Sequence, residues 1–289
     1  IRIILTSLAI LCGLLVITFY SITWHPEAVE AADLSCPASA PVYNPATPLK
    51  VISYNVQYFA GKNYVFYYDL PDNAGPDLRP DQRDVQATMK GIADLLSEQQ
   101  ADIVLLQEVH DGAAATDHQD QLAELQKILP SGLYPCTTEA FYWKADFIPH
   151  PAIMGSVGMK LVILSRYQLT NSVRLQLPTP PMDPVSSAFY LKRAILSASL
   201  PTTDGNSWAI VNTHLDAFAQ GSDTMQRQVA MARELMTRMD TNKTPFIFGG
   251  DFNLLSANML TTLATSQRYL YQEPTELLQL QQQWSSIPA

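Results

Sequence analysis

The sequence predicts an α/β (α+β) domain built on mixed β-sheet and preceded by one N-terminal transmembrane helix. Three observations carry this reading. Apolar runs of strand length recur along the chain, and four of them close on a polar residue: Asn55, Glu108, His214 and Asp251. Segments of helical period lie between them. Within Lys192–Leu215, two strands are joined only by Thr203-Asp204-Gly205-Asn206, a hairpin signal that makes part of the sheet antiparallel.

Ile3 to Trp24 is almost wholly apolar and carries no charge, long enough to span a bilayer. Residues 1–24 are expected to be a transmembrane anchor; a cleaved signal segment is the alternative, with Val29-Glu30-Ala31 a poor cleavage site. Arg2 precedes the span and Glu27, Glu30 and Asp33 follow it, which by the positive-inside rule puts the body on the extracytoplasmic side. Residues 25–48 contain Pro26, Pro37, Pro41, Pro45 and Pro48 and are expected to form a linker. The domain then runs over 49–289.

Leu49–Val56 and Ala101–Val109 predict the first two strands. Between them, Val85, Met89, Ile92 and Leu96 share one face of a helix over Asp81–Gln100, with Asp81 placed as its cap. Leu122, Leu125 and Leu129 predict a second helix over Asp117–Leu129. Strands follow at 157–165, 192–200, 207–215 and 245–251. A third helix over Ser222–Asp240 turns Val229, Ala232, Met236 and Met239 inward, as core packing. The tail, Ser256 to Ala289, is Gln-rich and predicted helical.

A composition of 47% hydrophobic and 16% charged residues, with no repeat or low-complexity tract, is that of one large globular domain with a real core. A net charge of −9 argues against broad binding to a nucleic-acid backbone, which leans on Lys and Arg. A local basic cleft, or a metal that bridges to phosphate, stays open. No Cys/His spacing suggests zinc. Cys36 and Cys136 can pair in an oxidising compartment or stand as free thiols.

The polar strand ends carry the chemistry. Phe246-Ile247-Phe248 runs into Gly249-Gly250-Asp251-Phe252-Asn253. The two glycines allow a tight turn or a close approach. In an extended segment Asp251 and Asn253 share a face. Such a pair can hold a hard metal, or a water and a phosphate oxygen, although Asp-x-Asn also caps turns. Glu108 follows an apolar run, so its charge is costly there without a metal or a cation. His214 gains from Asn212 and Asp216 on the same face.

Ser53-Tyr54-Asn55-Val56, Leu106-Gln107-Glu108, Asn212-Thr213-His214 and Gly250-Asp251-Phe252-Asn253 occur in an order that resembles the endonuclease/exonuclease/phosphatase superfamily of Mg²⁺-dependent phosphoesterases. Ser156–Tyr167 resembles that family's strand leading into Ser-Arg. The resemblance runs from about Leu49 to Asn253. It implies a four-layer sandwich of two mixed β-sheets flanked by helices. It further implies Glu108 as principal Mg²⁺ ligand, with Mn²⁺ an alternative metal. Asn55 would orient the metal or Glu108, and Asp251 would position or activate water or hold a second metal. Asn253 would donate to a phosphate oxygen, and His214 would do so as charge develops. From its place on the same face, Asp216 could orient the imidazole or belong to the site itself. Lys160 and Arg193 are lesser candidates for neutralising phosphate. Tyr64, Phe66, Tyr67, Tyr68, Tyr142 and Trp143 could shape a groove, pack in the core or meet the nearby membrane.

The chain departs from that family at one point. The family's late Asp-His pair has no counterpart here, where His214 is the last histidine. The resemblance therefore implies a chain lacking its final strands. The expected activity is that of a membrane-anchored, Mg²⁺-dependent phosphoesterase, cleaving phosphodiesters in nucleic acid or a lipid headgroup. A catalytically silent phosphate- or metal-binding module of the same fold is the alternative. No protein partner is inferred.

Overall fold

The computed structural model of the chain describes residues 2–67, 69–70, 74–217, 221–256, 259–265, 268, 271 and 275–285. In chain order its elements are α1 (Arg2–Ile22), β1 (Val29–Ala31), β2 (Asp33–Ser35), β3 (Val51–Asn55), α2 (Gln82–Gln99), β4 (Ile103–His110), α3 (Gln121–Ile128), β5 (Cys136–Ile148), β6 (Gly155–Ser165) and β7 (Thr170–Gln176). There follow α4 (Pro184–Phe189), β8 (Ala194–Pro201), β9 (Ser207–His214), α5 (Thr224–Thr241), β10 (Phe246–Asp251) and α6 (Leu278–Gln281).

The strands form two five-stranded sheets, in the orders β2-β5-β6-β4-β3 and β1-β7-β8-β9-β10. Each has one parallel edge pair, β3–β4 and β9–β10, and is otherwise antiparallel. The sheets pack face to face, with helices on the outer faces, as the predicted sandwich of two mixed sheets requires.

Both faces of the central strands are covered, which explains their near-continuous apolar runs. Ile103 and Leu105 of β4 point into the inter-sheet core with Leu161, Ile163, Leu196 and Ile210. Val104 and Leu106, of opposite parity, pack outward on Met89, Ile92 and Leu96 of α2. On the other sheet, Ile195 and Val211 meet Val229 and Met236 of α5. Each such side chain, fully buried, contributes about 1.5–3 kcal/mol. A polar bridge crosses the inter-sheet core: Gln107 Nε2 donates to Asn212 Oδ1 at 2.8 Å, and Asn212 Nδ2 donates to the carbonyls of Leu106 and Val162.

Several features differ from expectation. The Pro-rich stretch carries β1 and β2, which add an edge strand to each sheet against β7 and β5. Proline is compatible with such edges and the turns between them. Tyr43, in the same stretch, is wholly buried. Helix α3 begins at Gln121, capped by Asp120 and not at Asp117, because Ala114–Thr116 forms a separate turn of 3₁₀-helix. In the tail, the described helical residues are Leu260–Thr262, a 3₁₀ turn, with Arg268 and α6. The antiparallel β8–β9 hairpin is as predicted.

Cys36 and Cys136 form a disulfide that closes a loop with a sequence separation of 100. Cross-linking distant residues restricts the unfolded chain, so Cys136→Ser should lower the unfolding free energy by about 2–5 kcal/mol. Guanidinium unfolding with and without reductant checks this; a midpoint indifferent to both would contradict the bridge.

His110 is buried, stacks on Tyr58 with ring centroids 4.4 Å apart, and meets Thr116 Oγ1 at 3.1 Å. Burial pushes its pKa down to about 3 from the usual 6.5. Between those values the unfolded chain binds a proton that the folded chain refuses, so this contribution to stability is complete above about 6.5 and is lost as pH falls. The neutral variant His110→Gln should therefore show a shallower loss of Tm on acidification than the parent. Parallel Tm–pH curves would contradict this.

Candidate active site

The carboxyl ends of β3, β4, β9 and β10 meet at one end of the sandwich. Their order along the sheets explains why. The two parallel pairs sit at corresponding edges, so four strands finish on the same side, where ligands gather in sheets of this kind. Asn55 ends β3, and His214 and Asp251 end β9 and β10 in direct register. Glu108 lies in β4 at a bulge between Leu106 and Val109, with φ of 59°. A bulge of this sort re-aims a side chain out of the alternation. Gly250 has φ of 135°, and a Cβ there would come within 2.0 Å of the Thr213 carbonyl oxygen. Only glycine lets β10 lie so close to β9.

One amide organises the carboxylates. Asn55 Nδ2 donates to Glu108 Oε1 at 2.7 Å and to Asp251 Oδ2 at 2.9 Å. Its Oδ1 accepts from the Gln57 backbone N–H at 3.0 Å, which fixes which end of the amide faces the carboxylates. Asn55 is thus an orienting residue in this arrangement. The other oxygen of Asp251 accepts from the Asn253 backbone N–H at 2.9 Å, and Asn253 Nδ2 donates to the Leu215 carbonyl. The Asp-x-Asn segment is thus a turn cap that also lines the cleft.

His214 is 3% exposed, with Nε2 3.9 Å from Glu108 and 3.8 Å from Asp251. These distances are too long for hydrogen bonds. Burial, and then the charge of Arg193, hold its pKa well below the usual histidine value, so the ring is neutral and forms no ion pair. Tyr142 Oη lies 3.2 Å from Nδ1. With the hydroxyl donating there, the ring proton sits on Nε2, facing the carboxylates.

Burial pushes the Glu108 carboxyl up; the Asn55 hydrogen bond and then Arg193 oppose that rise. Arg193 is 3% exposed, lies over the Tyr142 ring at 5.1 Å, and has Nε and one terminal nitrogen buried without a hydrogen-bond partner. Unpaired buried guanidinium donors are costly, and an anion in the cleft would satisfy them.

Other expected residues fall elsewhere. Asp216 is buried and accepts from the Tyr190 hydroxyl at 3.0 Å on each oxygen. Its backbone N–H is held by Gln228. Lys160 is wholly buried among Glu139, Asp111 and Asp120 at 2.8, 3.1 and 3.6 Å, so its charge is already met away from the cleft. Phe66, Tyr67 and Trp143 line the cleft, Tyr64 packs in the core, and Tyr68 lies outside the described residues. Sequence reasoning ranked Arg193 low, whereas the structure puts it in the cleft, and it missed the contact of Tyr142 with His214. A signal existed for the first, since Arg193 directly precedes the apolar run of β8.

The cleft encloses about 820 Å³, the size of a small-ligand site. Among the described residues no three His, Cys, Asp or Glu side chains form a metal cage. Glu108 and Asp251 are nevertheless hard oxygen donors, joined through one amide, and Mg²⁺ commonly takes one or two carboxylates and completes its shell with water and phosphate oxygens. The donor set fits such an ion.

Comparison with known proteins agrees on the family. Residues 52–286 match the profile described as the Endonuclease/Exonuclease/phosphatase family. No curated protein is significantly similar in sequence. Among solved structures, the chain is similar to an endonuclease/exonuclease/phosphatase from Beutenbergia cavernae DSM 12333, with 21% identity and a TM-score of 0.47 over 72% of this chain. That alignment spans 48% of the Beutenbergia chain, about half its length. It is also similar to the human Nocturnin catalytic domain with bound sulfate, with 18% identity, a TM-score of 0.43, and coverage of 82% of this chain and 76% of that one. ANGEL2, a 2′,3′-cyclic phosphatase, gives 16% identity, a TM-score of 0.45, and coverage of 82% and 60%. Matched over 52–286, most of its length, the chain belongs to the endonuclease/exonuclease/phosphatase family.

Proposed function

We propose that this protein hydrolyses phosphodiester bonds by metal-assisted attack of water, from a body anchored to a membrane by α1. The observation that carries the reading is the shared amide of Asn55, which brings Glu108 and Asp251 together from opposite sheets at the floor of a cleft. The unpartnered donors of Arg193 in the same cleft supply the complement for a phosphate.

In this reading the phosphate enters with non-bridging oxygens toward Arg193 and the Nε2–H of His214. Preorganised donors of this kind stabilise charge as it develops. Asn253 donates the remaining proton of its amide to one of the same two non-bridging oxygens. Asp251 orients a water in line with the leaving oxygen and takes its proton. The water oxygen bonds to phosphorus, the ester P–O bond breaks, and the proton returns through solvent to the departing alkoxide. The products are a phosphomonoester and an alcohol. Mg²⁺, or Mn²⁺, held by Glu108 and Asp251 and oriented through Asn55, would neutralise charge on the phosphoryl oxygens.

Helix α1 is 21 residues long with mean hydropathy 2.5 and no buried residue, properties a signal sequence also satisfies. Support for a retained anchor comes from its packing. Phe19 meets Phe189 edge-on at 5.5 Å, and Thr23, just past the helix, bridges to Ala145. The Cys36–Cys136 disulfide supports a body in an oxidising, extracytoplasmic compartment.

Glu108→Gln and Asp251→Asn should each slow Mg²⁺-dependent hydrolysis of bis(p-nitrophenyl) phosphate by about a hundredfold or more, with Tm little changed. A chelator should abolish the parent activity and added Mg²⁺ restore it. Full activity in both variants would remove these residues from the site.

Arg193→Met keeps the apolar stem over Tyr142 and removes the cation. It should cost about 2–4 kcal/mol in kcat/KM, and sulfate should inhibit the parent more strongly than the variant. Equal inhibition of the two would contradict an anion-binding role.

A further inference from the structure

The cleft has two unlike halves. Its floor is polar, with Glu108, Asp251, His214 and Arg193. Its wall is largely apolar, with Trp143, Ile148, Ile153, Met159, Phe189 and Leu191, interrupted by His150 and Ser186. Among the described residues, Arg193 is the one Lys or Arg side chain that lines it, while Asp69 adds a third acid. A chain of net charge −9 with one cation in its cleft is poorly matched to a polyanionic strand, which needs a track of Lys and Arg.

The apolar wall belongs to a structural unit that reaches α1. Ala145, Ile148 and Val157, at the far end of the β5–β6 hairpin, cluster with Trp143, Ile153 and Phe189, separately from the three larger cores. Trp143 Nε1 donates to the Phe189 carbonyl at 2.9 Å, and Lys192 Nζ donates to the carbonyls of Ser187 and Ala188, so α4 is fastened to this hairpin. Phe19 of α1 packs on the same Phe189. Just below α1, Arg174, 2% exposed, donates to the carbonyls of Phe141, Glu27 and Lys192, and its guanidinium lies 4.8 Å from the Trp24 ring. The foot of the apolar helix is therefore tied to the strand and helix that wall the cleft.

Beside those cleft-lining residues, three large apolar side chains face solvent: Phe147 and Met154 near the hairpin tip, 37% and 60% exposed, and Met182 before α4, 40% exposed. Phe147 follows closely on Ala145, which Thr23 at the foot of α1 meets, and Met182 shortly precedes α4, whose Phe189 meets Phe19; exposed apolar side chains on segments tied to a spanning helix favour the bilayer interface.

We infer that the substrate is a lipid phosphodiester drawn directly from the membrane that holds α1: Phe147, Met154 and Met182 rest on the bilayer, the lipid's apolar part follows the wall from Phe189 to Trp143, and its phosphate reaches Arg193. The inference rests on phosphodiester hydrolysis at this site and adds the class of substrate. The reaction is the same: water's oxygen bonds to phosphorus, one ester P–O bond breaks, and the freed alcohol takes a proton.

The test uses the full chain reconstituted in phosphatidylcholine vesicles, whose neutral surface does not repel an acidic protein. Release of a phosphomonoester from the vesicle lipid is compared with hydrolysis of soluble bis(p-nitrophenyl) phosphate and of a single-stranded oligonucleotide. The inference expects lipid cleavage, and a variant carrying Phe147→Ser, Met154→Ser and Met182→Ser that loses about tenfold or more on vesicles while keeping its rate on the soluble ester. Leucine at the same three positions should restore the vesicle rate. Cleavage of the soluble ester or the oligonucleotide without cleavage of the lipid overturns the inference and leaves the site reading standing. Equal losses on vesicles and soluble ester overturn it too, since the three residues would then be structural. Failure to cleave any of the three substrates overturns the site reading, and the inference with it.

Discussion

Much of the site depends on one nitrogen. Asn55 Nδ2 gives its two protons to carboxylates from opposite sheets, Glu108 and Asp251, so both must arrive within hydrogen-bond reach of one point. That requires the sheets to be held in mutual register, and the core supplies the means. Gln107 and Asn212 bridge the sheets one turn of alternation behind the site, with the Asn212 amide tied to carbonyls on β4 and β6. A displacement of either sheet would leave buried polar groups unpaired, at about 1–3 kcal/mol each. Apolar contacts alone tolerate sliding far better. Gly249 contributes in the same sense: a Cβ there would come within 2.6 Å of Leu105, so its bareness lets β10 approach β4.

The electrostatics follow from that geometry. Burial raises the cost of ionising Glu108, and the nearby Asp251 carboxylate adds to it. Arg193 is the counterweight, yet the same cation pushes His214 away from protonation. The arrangement therefore keeps a neutral imidazole beside two acids and leaves Arg193, the one Lys or Arg lining the cleft among the described residues, with donors that an anion would satisfy. Lys160 shows the contrast. It is as deeply buried as Arg193, but three carboxylates surround it, so it has nothing left to offer a ligand.

What was legible in the sequence divides along physical lines. Strands buried on both faces announce themselves by apolar runs, and their polar ends stand out; hence β3, β4, β9 and β10 and the residues Asn55, Glu108, His214 and Asp251 could be picked out. Helix α2 was legible through its periodicity and the Asp81 cap. Strands β1 and β2 were not, because three-residue edge strands among prolines carry no periodic signal. Strand β5 was hidden by Glu139, Lys144 and Asp146 within it. The partner of a side chain is a tertiary fact, and that is where reading failed. Asp216 looked like a partner for His214 by parity along β9, yet Tyr190, folded in from beyond α4, takes its carboxylate. Tyr142 reaches Nδ1 of His214 from the other sheet, 72 residues away.

The β5–β6 hairpin shows how anchor and chemistry can be joined in one element. Its middle carries Tyr142, which faces His214, while its far part carries Ala145 and Ile148, in the cluster that meets Phe189. Thr23 pairs with Ala145 on that hairpin, and Arg174 grips Phe141 one residue before Tyr142. A hairpin held at Phe141, Tyr142 and Ala145 cannot tilt freely relative to α1, so the orientation of α1 in a bilayer would also set the direction in which the cleft opens. Were α1 to sit in a bilayer, that constraint would bear on substrate choice: a mouth held toward the membrane surface would favour a molecule that already resides there over one that must arrive from solution.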